Sequence, residues 1–369
     1  MSTPQPFHID IPQTDLDDLA GRLARTGWPD ELPGAGWDYG VARDRVRQLA
    51  AYWRQGYDWP DWAARLNAVP QFTTVIDEQQ IHFLHARGGA GLPLLLCHGW
   101  PSTPADFLEL IGPLTAAGFD LVIPSMPGYG FSGPTTSRGW DVARIARAYA
   151  ELMARLGYDR YGAHGGDWGA RVVAELARLD QEHVAGIHMH GFVAFPAGDP
   201  GELTAAEQQR LGRLRNWQAE RGGYAAIQGS RPQTLAYAMA DSPAGLLGWY
   251  LEWFDDYGQH VGAIGNDEIL TNVTTYWLTG TGASAARSYW EAYGPDAPAA
   301  GQKPLPASSI PFGFTTFPGE IWRTPRSWVE ASYPNVVYFN EVDKGGHFAA
   351  WEQPQLFSEE VRAAFRSLR

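Results

Sequence analysis

The stretch AHGGDWGARVV, residues 163–173, sets a carboxylate, Asp167, where an apolar run meets a helix-like run through glycines. Gly165, Gly166 and Gly169 supply the lack of bulk that a sharp strand-to-helix turn needs beside an exposed nucleophile. The N-terminus of the following helix favours an anionic tip, so Asp167 is expected to be ionised and able to attack carbon. A plain N-capping aspartate leaves the same local signature, so the turn by itself does not decide. No serine occupies the tip, which argues against a serine esterase.

LLLCHGWPSTPADF supplies a second element. His98-Gly99-Trp100-Pro101 follows an apolar run, where backbone N–H groups can stabilise an oxyanion. The expected donors are the amides of Trp100 and Trp168, and His98 is expected to order the loop. The chain has ten histidines, so a base must be chosen by position. His347, in EVDKGGHFAAWEQP, lies between the last apolar run and the last helix-like run, on a Gly-Gly loop that can return an imidazole over strand ends. His164, His188 and His190 sit at strand ends and are expected to pack or to order loops. Glu320, closing PFGFTTFPGE, fits the acid that orients His347, with Asp343 and Glu341 as rivals from the His347 loop. This chemistry requires no cofactor and no metal.

The elements that must position these groups alternate from Leu92 onward. PLLLC, DLVIPSMPG, YDRYGAHGG and VAGIHMHGF read as buried strands, with WDVARIARAYAELMARLG and ARVVAELARL as helices between them. Such alternation implies an α/β fold with a mostly parallel sheet covered by helices on both faces. Residues from about 197 to 305 carry helical patterns and no clear strand, as expected of a cap inserted over the active edge. GPDAPAAGQKPLPASS reads as the linker back, and PFGFTTFPGE, VVYFNEV and a closing helix complete the core. The first ninety or so residues form a separate helical prelude, with Thr14 as a candidate cap of its first helix. QFTTVIDEQQIHFLHARG ends it as a hairpin turning at Asp77-Glu78. The expected units are 1–90, 91–196, 197–308 and 309–369.

The 369 residues, 44% hydrophobic, suffice for a large core. A net charge of −13 with no basic block argues against nucleic acid or an anionic membrane as partner. Cys97 is the only cysteine, which rules out an intramolecular disulfide and a multi-cysteine metal site. It sits in an apolar run and reads as a small buried hydrophobe. With no signal-peptide pattern and no run of the roughly 18 apolar residues a span requires, a soluble cytoplasmic protein is expected. Aromatic residues make up 13% of the chain, which fits a large core or an aromatic-lined pocket.

GWPDE, YWRQGYDW, HGWP, PGYGFS, GGDWG, DSPAGLLGWY, LTNVTTYWLTGT, FPGE and GGHFAAWEQP occur in that order over nearly the whole chain. In this order the sequence resembles an epoxide hydrolase of the α/β-hydrolase superfamily, in the microsomal-type branch with its N-terminal module. The resemblance implies an α/β-hydrolase core with a helical cap, Asp167 as nucleophile, Glu320 as charge-relay acid and His347 as base. It also implies Tyr224 and Tyr289 as donors to the epoxide oxygen, since two neutral phenols can support an alkoxide leaving group at neutral pH. The implied product is a vicinal diol, reached through an alkyl ester on Asp167 that an activated water hydrolyses. The membrane anchor of mammalian microsomal members is not carried over, because the chain starts at the module.

Trp100, Trp168, Trp249 and Trp253 are the expected substrate-binding residues. With Tyr250, Phe254 and Trp277 they suit an aryl or extended apolar epoxide. Soluble bacterial relatives include enzymes of natural-product pathways, enediynes among them, which places antibiotic biosynthesis among the settings. A homodimer is compatible with the family. A haloalkane dehalogenase shares the aspartate and its ester but needs Trp or Asn N–H donors for a halide. A non-catalytic protein on the same scaffold would be expected to lack the nucleophile or the base.

Overall fold

The computed structural model of the chain describes residues 3–89, 91–191, 203–256, 263–294 and 308–368. Four short apolar segments set the centre of the fold. Leu94–Cys97, Leu121–Pro124, Tyr161–Gly165 and Phe312–Thr316 are buried along their whole length, as strands covered on both faces must be. In chain order the strands are β1 (Gln5–Phe7), β2 (Gln71–Ile76), β3 (Gln79–Ala86), β4 (Leu94–Cys97) and β5 (Leu121–Pro124). They continue with β6 (Tyr161–Gly165), β7 (Val184–Met189), β8 (Phe312–Thr316) and β9 (Val336–Glu341). All nine form one sheet in the order β1-β2-β3-β5-β4-β6-β7-β8-β9. β4 to β9 run parallel, and β1, β2 and β3 add antiparallel strands at one side.

Register decides where chemistry can happen. Cys97 pairs with Gly165, Gly165 with Met189, Met189 with Phe314, and Thr316 with Glu341. The carboxyl ends of these strands therefore share one edge, the usual place for a site in an open parallel sheet. The His98 loop, Asp167, His190, Glu320 and His347 all follow strands that end there.

The stretch before β4 contributes both helices and strands. β2 and β3 join through Asp77 and Glu78, both at positive φ (51° and 63°), the two-residue turn whose twist matches a hairpin. The first helix, Gln13–Ala24, begins two residues earlier than a Thr14 cap would allow. Pro12 precedes it without a side-chain cap, and Thr14 lies in its first turn.

Helices alone occupy the described residues between β7 and β8. Ala205–Arg221 starts with a capping box between Thr204 and Glu207, and Pro243–Asp255 starts on a Ser242 cap with Pro243 in the first turn. The segment read as a linker, residues 294–309, falls largely outside the described residues. The N-terminal helices brace this cap. The Arg45 guanidinium donates to Asp255 at 2.7 Å with both side chains largely buried, and the Tyr52 hydroxyl donates to Asp267 at 2.7 Å. Among the described residues, no helix is long and apolar enough to cross a membrane.

Candidate active site

Asp167 stands between the end of β6 and the helix Trp168–Leu179, and its backbone adopts φ 52°, ψ −124°. That conformation costs a non-glycine residue about 1–3 kcal/mol and persists only where the surroundings impose it. They do so by close approach. A Cβ on Gly165 would lie 2.3 Å from the Gly169 backbone, and one on Gly169 would lie 2.1 Å from the Cys97 carbonyl oxygen. Glycine at both positions lets strand, turn and helix close around the tip.

The turn presents the carboxylate asymmetrically. The Trp100 amide donates to Asp167 Oδ1 at 2.8 Å, and the Trp168 amide also supports the carboxylate. Oδ2 faces His347, whose Nε2 lies 3.8 Å away. Desolvation raises the pKa of Asp167, against the pull of His347 and the two amides. His98 holds the donor loop in place. It donates from Nδ1 to the Gly99 carbonyl at 2.8 Å and accepts the Met126 amide at Nε2, 3.0 Å away. Both contacts suit a neutral ring, and burial lowers its pKa to about 4.

His347 lies on the loop after β9, and its Nδ1 meets Glu320 Oε1 at 2.8 Å. The Ile321 amide donates to the same oxygen at 3.0 Å. Burial alone would lower the imidazole pKa. The charge and hydrogen bond of Glu320, with Asp167 beyond, raise it instead to about 9. Burial likewise opposes ionisation of Glu320, and His347 outweighs it, so that its pKa falls below the usual value. Of the candidates Glu320, Glu341 and Asp343, it is Glu320 that meets His347 Nδ1, while Glu341, the last residue of β9, accepts from Arg210 at 3.1 Å.

Tyr224 and Tyr289 come from two cap helices, Gly223–Ser230 and Gly282–Tyr293. Their rings lie 5.7 Å apart and line the same cavity as Asp167 and His347. Trp100 stacks flat on Tyr224, with centroids 5.4 Å apart and planes 9° apart, and Trp168 meets Tyr289 edge-on at 4.8 Å. Burial pushes the Tyr289 phenol well above its ordinary pKa, which keeps it a proton-bearing donor.

The cavity has a volume of about 520 Å³. Trp168 and Trp253 line it, and the Trp253 indole lies 4.7 Å from the His347 ring. The Trp100 ring is fully buried beneath Tyr224 and serves as a shelf for it. Trp249 corrects the expectation for it. It sits one turn before Trp253, roughly 6 Å along the axis, and lines a second cavity with Trp28, Tyr39 and Glu252. Its indole donates to Gln228 at 3.0 Å, four residues after Tyr224. Tyr250 is fully buried against Trp100 and Tyr276, and the Trp277 ring carries the Arg22 guanidinium.

Sequence reading missed Arg171, Trp217 and Trp322 in the cavity wall. Arg171 had a signal, because it follows Asp167 by four residues on the helix and so shares its side. It also missed Asp106, a buried carboxylate near His347. His164 and His188 do pack as expected, Nδ1 to Nδ1 at 2.9 Å, and His188 Nε2 reaches Thr315 at 3.0 Å.

Residues 4–107 match the family model described as "Epoxide hydrolase N terminus", and residues 93–232 match that of the alpha/beta hydrolase fold. The chain is 44% identical over 380 residues to a putative epoxide hydrolase of Stigmatella aurantiaca, covering 99% of this chain and 85% of that protein. It is 31% identical to epoxide hydrolase 1 of Sus scrofa, covering 97% and 87%. Among solved structures, juvenile hormone epoxide hydrolase of the silkworm Bombyx mori superposes with a TM-score of 0.92 at 28% identity, covering 100% and 95% of the two chains. Aspergillus niger epoxide hydrolase superposes with a TM-score of 0.88 at 30% identity, covering 100% and 97%.

Proposed function

The chain belongs to the epoxide hydrolases of the α/β-hydrolase fold, and on that premise we propose that Asp167, Glu320, His347, Tyr224 and Tyr289 carry its reaction. The family reaction opens an epoxide to a vicinal diol through an aspartyl ester. The observation that carries the residue assignment is one cavity lined by a carboxylate, an imidazole and two phenols.

Asp167 Oδ1 is occupied by the Trp100 amide, which leaves Oδ2 to attack a ring carbon. As that bond forms, the C–O bond of the epoxide breaks, and the ring oxygen takes a proton from Tyr224 or Tyr289. The ester keeps Oδ1 as its carbonyl, already aimed at the two amides that will hold the oxyanion. Water then attacks Cγ of Asp167 and gives its proton to His347 Nε2. The tetrahedral intermediate collapses, the alkyl oxygen takes the proton from His347, and the diol leaves. Ionisation of the restored carboxyl returns one proton to the tyrosinate, so the balance closes on one water and one epoxide.

The substrate class follows from the wall. Trp168, Trp217, Trp253 and Trp322 around about 520 Å³ suit an aryl or extended apolar epoxide. Residues 1–90 would brace the cap, 91–196 and 309–369 would form the core, and 197–308 would close the substrate in.

A haloalkane dehalogenase would need N–H donors facing the leaving group; indoles line this cavity too, and it is the pair of phenols among them that favours the epoxide. The test is incubation with a styrene-type epoxide and, separately, a bromoalkane. Diol without bromide release is expected, and replacing both Tyr224 and Tyr289 by Phe should abolish diol formation. Bromide release, or substantial diol from the double variant, would overturn the donor assignment.

A further inference from the structure

A separate small chamber of about 30 Å³ shares Asp167 and His347, and no other wall residue, with the substrate cavity. Asp106, Ser102 and His190 line it together with Asp167 and His347, and Phe348, Ala349 and Ala350 close it. That volume accommodates one or two waters, which need two to four polar partners, and the walls supply them. Asp106 belongs to the short 3-10 turn Pro104–Phe107 and is 7% exposed. Asn272 donates to its Oδ1 at 3.1 Å, and Ser102 and the Thr103 amide also donate to the carboxylate. Burial raises its pKa to about 7, opposed by those donors and by the charge of His347.

Ring opening creates a supply problem that the chamber solves. Once the alkyl group is bound to Asp167 Oδ2, it occupies the substrate cavity beside the ester, so a water held behind a different wall can reach Cγ without passing it. We propose that the small chamber holds the water that hydrolyses the ester, with Asp106 accepting one of its hydrogens and His347 the other. This inference rests on the assignment of Asp167 as nucleophile. The water oxygen bonds to Cγ, the carbonyl electron pair moves to Oδ1 under the Trp100 and Trp168 amides, and the proton passes to His347 Nε2. Asp106 keeps its own protonation state and fixes the direction of the water lone pair. Gly99 keeps the approach open, since a Cβ there would lie 2.8 Å from Asp167 Cγ.

The test separates the two half-reactions in the full-length enzyme, using rapid quench and intact mass with a styrene-type epoxide. Asp106→Asn should leave ester formation within about threefold of wild type. It should slow ester hydrolysis roughly ten- to hundredfold, the cost of a lost hydrogen bond to a charged group. The ester should accumulate, and kcat and KM should fall together while kcat/KM holds. Ala350→Val keeps every polar partner and fills the chamber, and it should accumulate ester as well. If both half-reactions slow in parallel, or if hydrolysis is unchanged in either variant, the chamber is not the water site and Asp167 remains the nucleophile. If wild type forms no ester on Asp167 at all, the nucleophile assignment itself fails.

Discussion

Asp167, Glu320 and His347 hang from strand ends and are held by hydrogen bonds of 2.8 Å to an amide or to one another. Tyr224 and Tyr289 hang from cap helices and are framed by rings, Trp100 beneath one and Trp168 against the edge of the other, where the Trp168 side chain also hydrogen-bonds the Tyr289 phenol. The difference matches the tasks. A carboxylate that must attack in line and an imidazole that must aim a lone pair need fixed directions, which hydrogen bonds impose. Two phenols that must follow an oxygen as its bond to carbon lengthens need fixed ring positions and an adaptable hydroxyl, which ring packing allows.

The core half should show the largest effect of any substitution. Asp167→Gly removes the attacking oxygen, so diol formation should fall roughly 10⁴-fold or more. The same change relieves a backbone at φ 52° and removes a desolvated charge, so the protein should gain about 1 kcal/mol of stability. Product chromatography and thermal unfolding measure the two effects. A dead variant that is also less stable would mean that the Trp100 and Trp168 bonds outweigh the strain they impose.

His347→Gln should come next, with turnover down roughly 10³-fold and an alkyl adduct on Asp167 visible by intact mass. The pH dependence sharpens this. Ester formation needs the Asp167 carboxylate, and desolvation raises its pKa, so the alkylation rate should fall as pH falls through that raised value. Hydrolysis needs neutral His347, whose pKa stands at about 9 while Glu320 and Asp167 are both charged. Esterification removes the charge of Asp167, so the His347 pKa in the intermediate must drop below that value. Stopped-flow measurement should therefore show hydrolysis rising with pH and levelling off below pH 9. An inflection at or above 9 would mean that Asp167 contributes nothing to the imidazole.

The two halves also differ in how far the residues announce them. The elbow is legible because its glycines and its aspartate answer a local steric demand, and His347 and Glu320 follow from their places after successive strands. The hairpin at Asp77-Glu78 is legible for the same local reason. Tyr224 and Tyr289 carry no local signature among sixteen tyrosines; they reach the site through cap helices whose placement depends on distant contacts such as Arg45 with Asp255. Only the resemblance to a family pointed to them. Asp106 was hidden differently. In PSTPADF it reads as an ordinary acid near a helix start, and only the packing of Asn272 and the His347 loop around it makes it a buried carboxylate.

Trp249 tests the boundary of the cap half and should give the smallest effect. It shares a helix with Trp253 but faces the second cavity, and its contact toward the site runs through Gln228 to the helix of Tyr224. Gln228 is fully buried, its Nε2 lacks a partner among the described residues, and its Oε1 accepts from the Trp249 indole. Trp249→Phe removes that donor and keeps most of the ring, which should cost about 1 kcal/mol of stability. Because Tyr224 is positioned by Trp100 and not by Gln228, kcat and KM should both stay within about twofold of wild type. Trp253→Phe, which alters a ring 4.7 Å from His347, should change them more. If Trp249→Phe instead slows ester formation tenfold while leaving ester hydrolysis intact, the position of Tyr224 depends on the helix register and not on its stack with Trp100. Tyr224 would then be held by a hydrogen bond at one remove, as the core residues are directly.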